Sequence, residues 1–169
     1  MGQALGYSDY QEILSAFVDR LQQTLGDRVE TVALYGSVAR GTARADSDVD
    51  LLLVLRQVPS GYRQRFQPLL PILQELRGEA GWKKLEARGI TPVLNLLVFS
   101  LEEAAENRFI YLDMVEEARL LVDRDGFFRK KMERLRQRLQ ELGAQKVRRD
   151  GDWYWDLKPD LKLGESVIL

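Results

Sequence analysis

An α/β fold is what this sequence predicts, and three stretches of the 169-residue chain carry the prediction. Leu34-Tyr35-Gly36-Ser37-Val38-Ala39-Arg40-Gly41 reads as the end of a strand, a glycine turn and a short helix. Ser47-Asp48-Val49-Asp50-Leu51-Leu52-Leu53-Val54 reads as a loop running into a second strand. That strand, Val49 to Leu55, is a nearly continuous apolar run, as expected of a central strand covered on both faces.

The remaining elements follow in chain order. Ser8-Asp9-Tyr10-Gln11 has the form of a capping box with Ser8 as N-cap. Ile13, Phe17, Leu21 and Leu25 then recur at helical spacing, and Gly26 ends the helix. Val29 to Tyr35 is β-rich and reads as the first strand. Pro59-Ser60-Gly61 marks a turn before a helical region from about Tyr62 to Arg88, which Pro68 and Pro71 kink or restart and Gly81 splits again. Thr91 to Phe99 reads as a third strand. Ser100-Leu101-Glu102-Glu103 is a second capping box and opens a helix. Ile110 to Ala118 reads as a short helix and Leu120-Leu121-Val122 as a short strand. Phe127 to Leu142 is a strongly periodic helix closed by Gly143. Trp153 to Leu169 reads as an irregular tail or small hairpin. The boundaries suggest one domain over 1–125 and, over 126–169, a basic helix with an aromatic tail packed on the same domain.

Composition excludes whole classes of chemistry. The chain has no Cys and no His, which removes zinc fingers, thiol nucleophiles, Ser-His-Asp triads and imidazole bases. A bound metal must take oxygen ligands, which favours Mg²⁺ or Mn²⁺. No apolar run approaches a membrane span and no signal region is seen, so the expected location is cytoplasmic. The formal net charge is −1, but nine Lys and Arg residues against two Glu lie between Arg129 and Arg149. A basic C-terminal segment therefore sits beside an acidic body.

Gly36 follows a strand and precedes a helical turn, where the absence of a Cβ lets a phosphate approach the backbone. Ser37 adds a hydroxyl where free N–H groups favour anions. Arg40, about one turn on, reaches phosphate oxygens or braces the loop. Asp48 and Asp50 are two apart, so on a strand they share a face with Cα atoms ~7 Å apart. Two carboxylates ~6 Å apart repel by roughly 3 kcal/mol at an effective dielectric near 20. A divalent cation reverses that sign. From average residue usage the joint spacing arises by chance in roughly 2 of 1000 chains this long, so the pieces are read together as a site for a metal-bound nucleoside triphosphate.

Gly36-Ser37, ten residues, then Asp48-x-Asp50, within Gly-Ser-Val-Ala-Arg-Gly and Ser-Asp-Val-Asp-Leu, resembles the minimal nucleotidyltransferases of the DNA polymerase β superfamily. The resemblance covers residues 8 to 55 and extends more loosely to about 125. It implies a small mixed sheet flanked by helices, the nucleotidyltransferase fold, with a helical C-terminal extension. It implies transfer of a nucleotidyl group from an NTP, most simply ATP, to a hydroxyl acceptor with release of pyrophosphate. Gly36 and Ser37 then hold the triphosphate, and Asp48 and Asp50 are the catalytic carboxylates that ligate Mg²⁺.

The chain departs from that family at one point. Active members carry a third carboxylate on a later strand, here Thr91 to Phe99, which has no Asp or Glu. Asn95 is the polar residue in its middle, and Glu102 and Glu103 follow the strand. An amide ligates a metal but does not act as a base. The alternative function is therefore a nucleotide-binding, antitoxin-like partner of a HEPN-type toxin, with weak or no turnover. Phe128, Met132, Leu135, Leu139 and Leu142 form a packing stripe on the basic helix. Its Arg and Lys residues, through Arg149, read as a solvated face or a nucleic-acid surface. Trp153, Tyr154 and Trp155 read as a tail anchor or as a platform for stacked bases.

Overall fold

The computed structural model describes residues 4–149, 152–162 and 165–169. Helix α1 (Tyr7–Leu25) leads through a 3₁₀ turn into strand β1 (Val29–Tyr35), which runs directly into the short helix α2 (Gly36–Arg40). Strand β2 (Val49–Leu55) follows, then helices α3 (Tyr62–Phe66), α4 (Leu70–Leu76) and α5 (Ala80–Ala87). Strand β3 (Leu94–Ser100), helices α6 (Leu101–Ala105) and α7 (Tyr111–Met114), strand β4 (Arg119–Asp123) and helix α8 (Phe127–Glu141) complete the main body. A hairpin of β5 (Gln145–Arg149) and β6 (Asp152–Asp156) ends it.

The sheet is mixed and ordered β3-β2-β1-β4. β1 pairs antiparallel with both β2 and β4, and β2 pairs parallel with β3. The mixed α/β sheet flanked by helices expected from the sequence is thus found. β2 shows why its apolar run has no polar face. Leu51 and Leu53 pack on the side of α1, α4 and α5, against Phe17, Leu21, Ile72 and Leu85. Leu52 and Val54 pack on the other side, against Tyr111, Phe128 and Leu135. Each fully buried Leu is worth roughly 1.5–3 kcal/mol of transfer free energy, so the two helical layers trap β2 between them.

Several boundaries differ from expectation for identifiable reasons. Helix α1 starts at Tyr7, with Gly6 as N-cap in place of Ser8. The Gly6 N–H donates to Asp9 Oδ2 at 2.9 Å. The start is set by tertiary pairing: Leu5 and Ala43 exchange backbone hydrogen bonds of 2.8 and 3.0 Å, and a Cβ on Gly6 would lie 3.1 Å from Gly41 Cα. The region after Tyr62 breaks into three helices near the prolines, but its last break falls before α5 and not at Gly81. Gly81 instead lets α5 close on α1, since a Cβ there would meet Glu12 Cβ at 2.7 Å. β3 begins only at Leu94, after Pro92, and the helix expected over 110–118 is confined to Tyr111–Met114.

α8 lies where its apolar stripe requires. Phe128, Met132, Leu135 and Leu139 are buried with Tyr111 and Met114, and Phe128 meets the Tyr111 ring edge-on at 5.5 Å. The aromatic tail divides. The Trp155 indole donates to Leu112 O at 3.1 Å and anchors the hairpin, while Trp153 and Tyr154 are exposed. Among the described residues no helix is long and apolar enough to cross a membrane.

Candidate active site

β1 and β2 deliver the site because β1 ends beside the start of β2. The register pairs Tyr35 with Asp50 across the antiparallel ladder, so the turn after β1 and the carboxylate at the start of β2 must meet. They meet closely. Gly36 has φ +73°, and a Cβ there would sit 2.3 Å from Asp50 Oδ2. Both facts demand glycine: the left-handed backbone and the absence of room for a methyl group. α2 then runs from Gly36 and stops at Gly41, left-handed at φ 73°. The Thr42 N–H donates to Ser37 O at 3.0 Å and closes the loop. The Ser37 hydroxyl makes no protein hydrogen bond among the described residues.

Asp48 lies just before β2, not on it, and is exposed. A turn over Arg44–Ser47 leads into it, with the Arg44 N–H donating to Ser47 Oγ at 2.9 Å. Asp50 is half-buried. Burial raises its carboxyl above the usual range, the Asn95 hydrogen bond opposes that, and the Asp48 charge adds to the rise. Asp48 and Asp50 are therefore close enough to repel. Arg40 also acts on Asp50, lowering its pKa. Its Nη1 lies 3.4 Å from Glu117 Oε2. Gly36, Ser37, Arg40, Asp48 and Asp50 are gathered at one end of the sheet.

Asn95 is the third-strand residue at this site. It pairs in register with Asp50, and its Nδ2 donates to Asp50 Oδ1 at 2.9 Å. Glu102 and Glu103 follow the opposite end of β3, where Ser100 pairs with Leu55. Five residues of strand, ~17 Å, separate that end from Asn95. Both glutamates are occupied there. Glu103 caps α6 through the Ser100 N–H at 2.8 Å and takes two hydrogen bonds, of 2.6 and 2.8 Å, from Arg65. These hold its carboxyl down at about 2. Glu102 accepts from Ser100 Oγ at 2.7 Å.

Two residues that the motif does not single out border the site. Tyr35, opposite Asp50, has its phenol pushed up to about 12, first by burial and then by the charges of Asp50 and Asp113. Tyr35 was readable as the residue before Gly36 once the two strands were paired. Asp113, on α7, carries no sequence signal. Among the described residues no group of three or more acidic side chains is close enough to hold a metal.

The chain is similar to known proteins. The model of the nucleotidyltransferase domain family matches residues 14–147. MJ1305 of Methanocaldococcus jannaschii, named as a protein adenylyltransferase, is 28% identical over 141 residues, covering 83% of this chain and 90% of its own. The protein adenylyltransferase MntA of Thermococcus cleftensis is 36% identical over 56 residues, 33% of this chain and 54% of its own. Among solved structures, a toxin-antitoxin with AMP-PNP aligns over 75% of this chain and 89% of that one, at 16% identity and a TM-score of 0.45. The match of the family model spans both motif strands, their partner β3 and all of α8, and by it the chain belongs to the nucleotidyltransferase domain family of enzymes.

Proposed function

We propose that this protein transfers an adenylyl group from ATP to a hydroxyl of another protein. The observation that carries the reading is the contact between Gly36 and the Asp50 carboxylate. It puts the first N–H groups of α2 beside an acidic side chain, an arrangement that suits a cation-bound polyphosphate, whose phosphates face the N–H groups while its cation faces the carboxylate. The extent of the similarity to a chain named as a protein adenylyltransferase supports a protein acceptor.

Gly36 and Ser37 hold the triphosphate through backbone N–H groups and the Ser37 hydroxyl, and Arg40 neutralises phosphate charge. Asp48 and Asp50 hold the metal, Mg²⁺ or Mn²⁺. The donor set fits such an ion: the Asp48 charge helps to raise the Asp50 carboxyl, which a cation would offset, and hard oxygen ligands are what it prefers. When bound, the ion neutralises polyphosphate charge. The acceptor oxygen attacks the α-phosphorus, the bond from that phosphorus to the bridging oxygen of the β-phosphate breaks, and pyrophosphate leaves. The acceptor's proton passes to water, because Asn95 stands where a carboxylate base would be. Orientation of the acceptor against the α-phosphorus contributes to the acceleration.

The test is incubation with α-labelled ATP, Mg²⁺ and proteins that co-purify from the native source. Label should appear on a protein band and be absent with Asp48→Ala and Asp50→Ala. No transfer from any of the four NTPs would overturn the reading.

Asn95 favours a second reading, an antitoxin-like partner of a HEPN-type toxin that binds nucleotide with little turnover. Calorimetry showing ATP binding without pyrophosphate release, together with a stable complex in pull-downs, would select it. Recovery of the protein alone would exclude it.

A further inference from the structure

A cavity of about 620 Å³ lies far from Gly36 and Asp50. One wall holds Glu30, the second residue of β1, whereas Tyr35 ends that strand at the candidate active site. Five strand residues, ~17 Å, separate the two ends. Its volume is that of a small-molecule pocket. We infer that this cavity is a second binding site, for a small polyphosphate-bearing ligand of nucleotide size.

The charge of the lining is the main argument. Arg56, Lys130, Lys131, Arg134 and Arg138 line it. Two side-chain carboxylates, Glu30 and Asp125, stand against these five cations. Glu30 is almost wholly buried and is already engaged, accepting from Arg56 Nε at 2.7 Å. It orients the guanidinium. On α8, Arg138 pairs with Glu141 at 3.3 Å, which leaves Lys130, Lys131 and Arg134 without a carboxylate partner among the described residues. Lys130, Arg134 and Arg138 recur every four residues on α8. Like charges at that spacing destabilise a helix, and here three are placed in one row. Arg134 has no hydrogen bond or ion pair among the described residues.

Lys131 reports the same imbalance. Its ammonium is held below its usual value by burial, with Arg134 and Arg108 adding to the effect. It spends its protons on neutral acceptors, Ala105 O at 2.7 Å and Asn107 Oδ1 at 3.1 Å. An anion would relieve both the repulsion and the desolvation. The floor is apolar, with Phe127 and Leu135, so the ligand combines a phosphate group with a flat or apolar portion.

The site is independent of the proposed reaction, and the experiment separates them. Amide NMR shifts are followed in EDTA while inorganic pyrophosphate, ADP and adenosine are titrated in turn. Pyrophosphate and ADP should move amides of residues 127–138 and of Arg56, ADP at lower concentration. Arg134→Glu should weaken this at least tenfold and leave any shifts at Gly36–Arg40 unchanged. Arg134 is exposed and unpaired, so the variant retains the fold; Lys130→Gln is the second variant, expected to weaken binding in the same direction. The inference is overturned if those amides stay still at 10 mM of either anion. It is equally overturned if equimolar sulfate moves them as much, or if only an oligonucleotide does.

Discussion

At the scale of single residues, the site depends on two positions where one atom more or less changes the chemistry. Gly36→Ala adds a Cβ that has no room beside Asp50 Oδ2 and places alanine at φ +73°. The backbone strain costs about 1–2 kcal/mol, and the Asp50 carboxylate must swing away. Thermal unfolding should shift by only a few degrees, while ATP affinity measured by calorimetry falls at least tenfold. Asn95→Asp tests the opposite change. It replaces the donor on Asp50 Oδ1 with a third carboxylate. Without metal the variant should be less stable than the parent, because three carboxylates repel. With millimolar Mg²⁺ or Mn²⁺ it should regain that stability and turn over faster, as read by pyrophosphate release. A variant that is slower than the parent at every metal concentration would show that a carboxylate at position 95 does not assist the reaction.

At the scale of elements, capping decides where helices start, and its legibility varies with what supplies the cap. The Ser100–Glu103 box was readable because both partners lie within one turn of sequence. Its stability is pH-dependent through Glu103. The folded carboxyl is depressed to about 2 from 4.5, so the contribution is fully present above about pH 4.5 and is lost as pH falls toward 2. Discounted for a side chain one-third exposed, it is about 1 kcal/mol. Urea midpoints of the parent and Glu103→Gln should differ at pH 7, approach each other as pH falls from about 4.5, and converge only below about pH 2. The start of α8 was not readable in the same way. Asp123, at the end of β4, accepts from the Phe128 N–H at 2.8 Å and the Arg129 N–H at 3.1 Å, across a 3₁₀ turn. Asp123→Ala should cost about 1–2 kcal/mol, measured by denaturant unfolding. The same contrast runs through the fold. β1 and β2 were legible to the residue because burial on both faces leaves an unbroken apolar run. β5 was missed because Gln145-Lys146-Val147-Arg148-Arg149 reads as a charged stretch, and only pairing with β6 makes it a strand. Likewise the gathering of Gly36, Ser37, Asp48 and Asp50 was legible from spacing. The register that sets Asn95 against Asp50, and leaves Glu102 and Glu103 at the far end of β3, needed the parallel pairing of β2 with β3.

At the scale of the whole molecule, the two faces of one sheet have been given to different parts of the chain. α1, α4 and α5 cover the first face, and α7, α8 and the hairpin anchor cover the second. The division at residue 125 therefore cuts through a core and not along a linker. Removing residues 126–169 uncovers Ala33, Leu52, Val54 and Tyr111, all fully buried in the intact chain. Phe128, Met132, Leu135 and Leu139 leave with the deleted segment, and each such large-to-small loss costs roughly 2–5 kcal/mol. The total, roughly 8–20 kcal/mol, is as large as the 5–15 kcal/mol that holds a domain together. The truncated chain should not fold, as judged by lost near-ultraviolet circular dichroism and dye binding to exposed apolar surface. A soluble, ATP-binding 1–125 fragment would make residues 126–169 a separable extension. The structural link runs further than packing. Lys146 on β5 binds Glu116 at 2.9 Å and Glu117 at 3.1 Å, and Glu117 is the partner of Arg40 on α2. Glu117→Gln should therefore leave the fold intact and free the Arg40 guanidinium for phosphate. Its expected signature is tighter ATP binding, two- to fivefold by calorimetry at low salt and less at high salt. Unchanged affinity would mean that Arg40 does not reach the nucleotide and that the C-terminal hairpin supports the domain without tuning its site.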